Sequence, residues 1–377
     1  MKFPILRRVL RGLVGLPRPV KRAIAGRRVE LDGQVLDLDV QMVIKLISLA
    51  ANPGEEPPLS DQRRLTDEAA TGLAEVTRGV VSRSLTIPVP VGPSRDAPGT
   101  LDARLYEPVD VSGSTAGLLV FFHGGGFALG SIVSGDPLCR ALAQQAGARV
   151  LSVEYRLAPE HPFPAGLADA VAALRYVLDH RTDLRAGAVA VGGDSAGANL
   201  ALTAAHQLAR RGETTAEFVL ALYPVTDAGR SGGSRELFAD GFGLRTQDVE
   251  WFEGLYLPEG LDPIRPTALL DAHDLDVMPP AYVATAGFDP LRDEGEELVT
   301  ALRRVGVPVV ARRFPGLVHG YAGFAGLIPA ARDAVLDAAS ALRAGIALTG
   351  PHAASEAASG AMALDTPGVE EHGAGIS

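Results

Sequence analysis

From residue 83 onward the chain switches between two hydrophobic periods. Leu118–Phe122 is a continuous apolar run, the pattern of a strand buried on both faces. Ala165–His180 instead spaces Leu167, Val171, Leu174, Val177 and Leu178 at close to a helical repeat. The same reading predicts strands over Arg149–Tyr155, Ala188–Gly192, Phe218–Tyr223, Ala281–Ala286 and Val307–Phe314. It predicts helices over Asp136–Gln145, Ala196–Arg211, Glu294–Arg304 and Ala330–Ala344. Arg83–Val91 and Thr100–Glu107, separated by a Gly/Pro-rich turn, read as an antiparallel hairpin. Strands alternating with helices imply an α/β fold: a mostly parallel sheet with helices on both faces. Chemistry in such folds gathers at the carboxyl ends of the strands.

Three segments stand outside this alternation. Residues 1–82 carry short helical patterns (Gln41–Leu49, Asp67–Arg78) around the breaker run Asn52–Pro58. Residues 226–275 are polar and Gly-rich and hold the only tryptophan, Trp251. The end of the chain, 348–377, is rich in Ala, Gly and Ser with almost no aliphatic pattern, and is expected to be a disordered tail. No repeat of 20–50 residues is present.

Composition narrows the class. In 377 residues, 47% are hydrophobic and 21% charged, enough for a large core. The net charge of −10 disfavours general nucleic-acid binding. It is unevenly spread: residues 1–28 hold nine Lys/Arg and no acid, leaving 26 basic against 45 acidic side chains in the remainder. Such an arm reads either as a helix packed on the body or as a basic amphipathic helix in peripheral contact with a membrane. Charges at Arg7, Arg8, Arg11 and Arg18 interrupt it too often for a cleaved secretory signal. No run is long enough to span a bilayer. The single cysteine, Cys139, excludes an internal disulfide and a Cys-cluster zinc site and fits a reducing compartment. A cytoplasmic protein, with or without membrane association, is therefore expected.

Two stretches match Gly-x-Ser-x-Gly, so the motif alone decides nothing. Gly193-Asp-Ser-Ala-Gly197 lies between a predicted strand and a predicted helix, the sharp turn that lifts a serine off a sheet edge. Gly229–Gly233 lies in a loop with no helical pattern behind it, which makes Ser195, and not Ser231, the candidate nucleophile. His123-Gly-Gly-Gly-Phe127 follows a strand directly. Consecutive glycines there can aim several N–H groups at a developing oxyanion. His123 reads as a structural imidazole pinning that loop. A serine alcohol needs a base. Among eight histidines, His319 occupies the loop after the last strand, at the expected carboxyl edge. Asp289, just past strand Ala281–Ala286, is the matching acid, and its rival Asp293 is expected to cap the following helix.

With these residues assembled, the chain resembles the bacterial hormone-sensitive-lipase-like esterases (family IV, Gly-Asp-Ser-Ala-Gly type) of the α/β-hydrolase superfamily. The motifs that carry the resemblance are His123–Phe127, Gly193–Gly197, Asp289–Asp293 and His319-Gly-Tyr321, with Tyr155–Ala165 as a further signature. The likeness runs from about residue 80 to about 345. Ala198 stands where many members have glycine, and Tyr321 where phenylalanine is frequent. The resemblance implies an eight-stranded α/β-hydrolase fold with a helical cap, and an oxyanion hole from the N–H groups of Gly125, Gly126 and Ala196. The implied organisation is a basic arm and cap helices over 1–82, catalytic core over 83–225 and 276–347, and a cap insertion over 226–275. In that cap, Trp251 and Phe252 would line or roof the pocket.

The expected function is a serine carboxylesterase acting on small-molecule esters with short to medium acyl chains. It would use a Ser195–His319–Asp289 triad and an acyl-enzyme, with no metal or organic cofactor. An amidase or N-deacylase on the same triad is an open alternative, because the triad does not fix the leaving group. A non-catalytic small-ligand receptor on the same fold is a weaker one, because His319 is present. The oligomeric state, including a homodimer, is left open.

Overall fold

The computed structural model describes residues 3–50, 57–74, 77–89, 99–111, 113–258, 269 and 273–349. The tail expected from residue 350 onward, most of the breaker run and part of the 226–275 insertion lie outside the described residues.

Eight strands form one sheet: β3 (Val80–Pro88), β4 (Thr100–Pro108), β5 (Ala116–Phe122), β6 (Arg149–Val153), β7 (Ala186–Asp194), β8 (Phe218–Leu222), β9 (Ala281–Phe288) and β10 (Val309–Val318). Their spatial order is β10-β9-β8-β7-β5-β6-β4-β3. Among the described residues of this sheet, only the β3–β4 and β4–β6 pairings are antiparallel. The β3–β4 hairpin is paired without interruption from Val80↔Pro108 to Pro88↔Thr100. A further two-residue hairpin, β1 (Glu30–Leu31) with β2 (Gln34–Val35), stands apart from it.

Both faces of the sheet are buried, which is why the central strands read as unbroken apolar runs. Leu118, Val120 and Phe122 of β5 enter one core, and Leu119 and Phe121 enter the other. Helices α6 (Ala165–Asp179), α7 (Ala196–Arg210) and α10 (Arg292–Arg304) cover the first face. Helices α5 (Ile132–Ala146) and α11 (Pro329–Thr349) cover the second.

Boundaries differ from the sequence reading where a local cap outweighs periodicity. Helix α5 begins at Ile132, four residues before the expected start. Ser131 Oγ accepts from the amides of Val133 (2.9 Å) and Ser134 (3.4 Å), and the helix then accommodates Pro137. Helix α3 (Leu38–Ala50) starts early for the same reason, with Asp37 Oδ1 capping the amides of Asp39 and Val40. Helix α4 spans Leu59–Leu73 rather than 67–78, because it starts immediately after the Pro57-Pro58 pair that ends the breaker run. Asp293 is not a cap: α10 opens at Arg292, so Asp293 sits in its first turn.

The basic arm forms α1 (Phe3–Val14) and α2 (Arg18–Ala25). Leu10 is buried in the second core, the Arg11 guanidinium donates to Gly326 O, and Lys21 pairs with Asp39. The arm thus packs on the body. No helix among the described residues is long and apolar enough to cross a membrane.

Candidate active site

The turn from β7 into α7 sets the position of Ser195. Its backbone has φ +54° and ψ −121°, a strained conformation for a residue with a side chain. The flanking glycines have a steric cause. A Cβ on Gly197 would lie 2.0 Å from Phe122 O, and one on Gly193 would lie 2.3 Å from the Gly197 carbonyl carbon. The turn therefore closes against β5 only if both positions lack side chains.

His319 follows β10 and reaches both partners. Its Nε2 is 2.8 Å from Ser195 Oγ, and its Nδ1 is 2.9 Å from Asp289 Oδ2. Asp289 is buried at the end of β9, and its other oxygen accepts from the Leu291 amide at 2.8 Å. With both oxygens engaged, the carboxylate has one orientation toward the imidazole. Nδ1–H donating to Asp289 leaves Nε2 as the acceptor for the serine proton. The Tyr223 ring packs edge-on against His319 at 5.0 Å.

The glycine loop after β5 lies opposite. Gly125 and Gly126 have φ of +122° and +58° and line the cavity in front of Ser195. Ala196 is the first residue of α7, so its N–H has no acceptor one turn back within the helix. The positive end of the α7 dipole faces the same space.

Supporting groups surround these residues, and one of them, Asp194, was not singled out by the sequence. Asp194, the unspecified second residue of the serine motif, accepts from the Gly124 amide at 2.8 Å and so ties the glycine loop to the serine turn. Burial pushes its carboxyl up to about 6, against the opposing pull of the Gly124 amide and His319. His123 is fully enclosed and stacks on Tyr155 with ring centroids 4.4 Å apart. Burial lowers its imidazole to about 4, so it is neutral at pH 7, in keeping with a structural role. The Tyr155 hydroxyl donates to His123 O at 2.8 Å, which explains why the Tyr155–Ala165 signature sits beside the glycine loop.

The cavity of about 200 Å³ has apolar walls from Phe127, Tyr223, Val225, Leu244, Val249, Phe252 and Leu291. Leu244, Val249 and Phe252 come from the 226–275 segment, which contains α8 (Ser234–Leu237) and α9 (Thr246–Tyr256). Phe252 packs so tightly on the glycine loop that a Cβ on Gly126 would lie 2.2 Å from its ring. Trp251 departs from expectation: it is 36% exposed, its ring lies tilted against Phe252 with centroids 4.9 Å apart, and it is not among the described lining residues. Arg235 of α8, almost fully buried, bridges Glu253 of α9 (3.0 Å) and Glu294 of α10 (2.9 Å), tying this segment to the core.

Comparison with known proteins agrees with this architecture. The α/β-hydrolase fold family matches residues 119–323. The carboxylic ester hydrolase LipN of Mycobacterium tuberculosis is 39% identical over 321 residues, covering 81% of this chain and 82% of LipN. An ethyl acetate hydrolase of Pseudomonas putida is 33% identical over 82% of this chain and 98% of its own. The structure of an ester hydrolase from the metagenome of Lake Arreo, complexed with a bipyridine phosphonate derivative, superposes with a TM-score of 0.75. It is 33% identical and is matched over 82% of this chain and 98% of that one. On fold, strand order and these relatives together, the chain belongs to the α/β-hydrolase family, among its hormone-sensitive-lipase-like carboxylic ester hydrolases.

Proposed function

We propose that the chain is a serine carboxylesterase for neutral small-molecule esters with short to medium acyl chains. The observation that carries this reading is the hydrogen-bonded line from Ser195 Oγ through His319 to Asp289, at 2.8 and 2.9 Å. Ser195 Oγ attacks the ester carbonyl while His319 Nε2 takes its proton. The tetrahedral oxyanion lies among the N–H groups of Gly125, Gly126 and Ala196, where each donor is worth about 3 kcal/mol. Asp289 holds the imidazole tautomer and stabilises the imidazolium. The proton then passes to the departing alcohol, leaving an acyl group on Ser195. Water, activated by the same His319, releases the acid.

The substrate range follows from the cavity. Its small volume and apolar walls suit short and medium acyl chains. The described lining holds two acids, Asp194 and Glu253, and neither Lys nor Arg, which disfavours anionic esters. The relative named for ethyl acetate hydrolysis supports the short-chain end of the range. In this reading, residues 226–275 are a cap over the catalytic core, contributing Phe252 as roof, and the helices within 1–82 form its second piece. Contact of the basic arm with an anionic lipid surface is part of the same proposal, since Arg8, Arg18, Val9 and Val20 remain exposed on α1 and α2.

Ser195→Ala tests the reading. On p-nitrophenyl butyrate, activity should fall at least about 10⁴-fold, with a small remainder from the oxyanion hole. Turnover at the wild-type rate would remove Ser195 from the mechanism.

A further inference from the structure

Two of the three donors proposed for the oxyanion hole, the Gly125 and Gly126 N–H groups, sit on a loop whose glycines have no side chains to anchor it. Beyond the Gly124 amide bonded to Asp194, its aim is set through its carbonyls. The Gly126 N–H shares one planar peptide unit with the Gly125 C=O, so fixing that carbonyl fixes the N–H. Gly125 O accepts from Leu129 N at 2.8 Å and from Ala128 N at 3.1 Å. Leu129 N–H in turn shares a peptide unit with the Ala128 C=O. That carbonyl receives the Arg63 Nε donor at 2.8 Å.

Arg63 comes from α4, which precedes the sheet and lies outside the segment matched by the family. Its guanidinium makes further contacts in the same place. Nη2 donates to Ala158 O at 2.8 Å, and Nη1 and Nη2 engage both oxygens of Glu160 at 2.8 and 2.7 Å. Ala158 N donates to Phe127 O at 2.9 Å, so Arg63 staples two loops that already touch. One helical turn on, Asp67 Oδ1 accepts from Ser131 Oγ at 2.7 Å, at the far end of the glycine loop. No side chain of α4 is fully buried. Its grip on the loop is therefore largely polar, through charge-assisted bonds roughly twice as strong as neutral ones.

We infer that Arg63 is a positioning residue for the oxyanion hole. Acting through the Ala128 and Gly125 peptide planes, it couples the N-terminal helical layer to the aim of the Gly126 N–H. This rests on the serine-esterase reading above. Because only the transition state carries the oxyanion, loss of the clamp should lower kcat and leave ground-state binding nearly unchanged.

The test compares Arg63→Ala and Arg63→Lys with wild type on p-nitrophenyl butyrate, with rates normalised to titrated Ser195. Arg63→Ala should lower kcat by about tenfold or more, with KM within about twofold. Arg63→Lys keeps the charge but lacks the fork that reaches both carbonyls and Glu160, and should recover only part of the loss. An aryl trifluoromethyl ketone adds Ser195 Oγ to its carbonyl and passes the serine proton to His319, leaving an oxyanion in the same hole. Its affinity for Arg63→Ala should fall by the same factor as kcat/KM, an effect that a purely structural role would not produce. A kcat within twofold of wild type in Arg63→Ala, or a lower kcat with unchanged ketone affinity, would overturn the inference. If Arg63→Ala does not fold, Arg63→Lys carries the same comparison. Ser195→Ala, assayed alongside, separates the two failures: an active Ser195→Ala sinks the esterase reading, whereas an inactive one beside an unaffected Arg63→Ala sinks only the clamp.

Discussion

Ser195 holds a backbone conformation that costs a residue with a side chain about 1–3 kcal/mol, and its surroundings leave it no alternative. Its amide donates to Leu222 O at 2.9 Å, while Gly193 and Gly197 let the turn close on Phe122. Gly197→Ala would drive a methyl into a backbone oxygen that cannot move without shifting β5. A loss of about 3 kcal/mol or more is expected, read as a lower urea midpoint at unchanged slope. Asp194 makes a different demand. Its carboxyl titrates near its ordinary 3.8 in the unfolded chain and at about 6 when folded. Between those values the folded state binds the extra proton, so stability falls as pH rises and the penalty is complete above about 6. Asp194→Asn keeps an oxygen for the Gly124 amide and removes the charge. Its thermal midpoint relative to wild type should be higher at about pH 8 than at about pH 4. An identical difference at both pH values would show that the charge is not penalised.

Among the elements, α9 supplies the aromatic wall over the glycine loop. It carries Phe252 over Gly126, and its neighbour Glu253 holds the helix to Arg235 and, through it, to Glu294. Phe252→Ala should enlarge the cavity without touching the reacting groups. The ratio of kcat/KM for octanoyl over butyryl p-nitrophenyl esters should rise by roughly threefold or more. A ratio that stays flat would place the chain-length boundary elsewhere. The elements whose ends the sequence misplaced share a cause. Helices α3, α4 and α5 are started by a single residue or by a proline pair, and periodicity reports the middle of a helix better than its ends. Central strands were easier, because burial on both faces writes them as apolar runs.

At the scale of the molecule, the charge asymmetry looks different once the chain is folded. Lys21 pairs with Asp39, Arg22 donates to Gln41, Arg28 pairs with Glu30, and Arg11 holds Gly326 O. Lys21, Arg22 and Arg11 thus hold the arm to the rest of the chain, while the Arg28 pair is local and exposed. Arg8 and Arg18 remain exposed. If they meet a membrane, Arg8→Glu combined with Arg18→Glu should reduce co-sedimentation with phosphatidylserine vesicles, about tenfold or more at low salt, and leave esterase turnover unchanged. Equal binding by the two proteins would limit the arm to its structural part.

The sequence by itself determined the order and type of the core elements, since doubly buried strands and amphipathic helices each leave their own period. It also nominated Ser195, Asp289 and His319, because a reacting group at a strand end must follow its strand directly in the chain, while Gly125, Gly126 and Ala196 were named through the family resemblance. It had no means of reaching Asp194 through an unspecified motif position, or Arg63, whose guanidinium bonds a carbonyl 65 residues further along the chain. Those contacts join elements distant in sequence, and only the folded chain brings Asp194 and α4 to the glycine loop. Periodicity records which face of an element is buried; it carries no information about which distant side chain will cover that face.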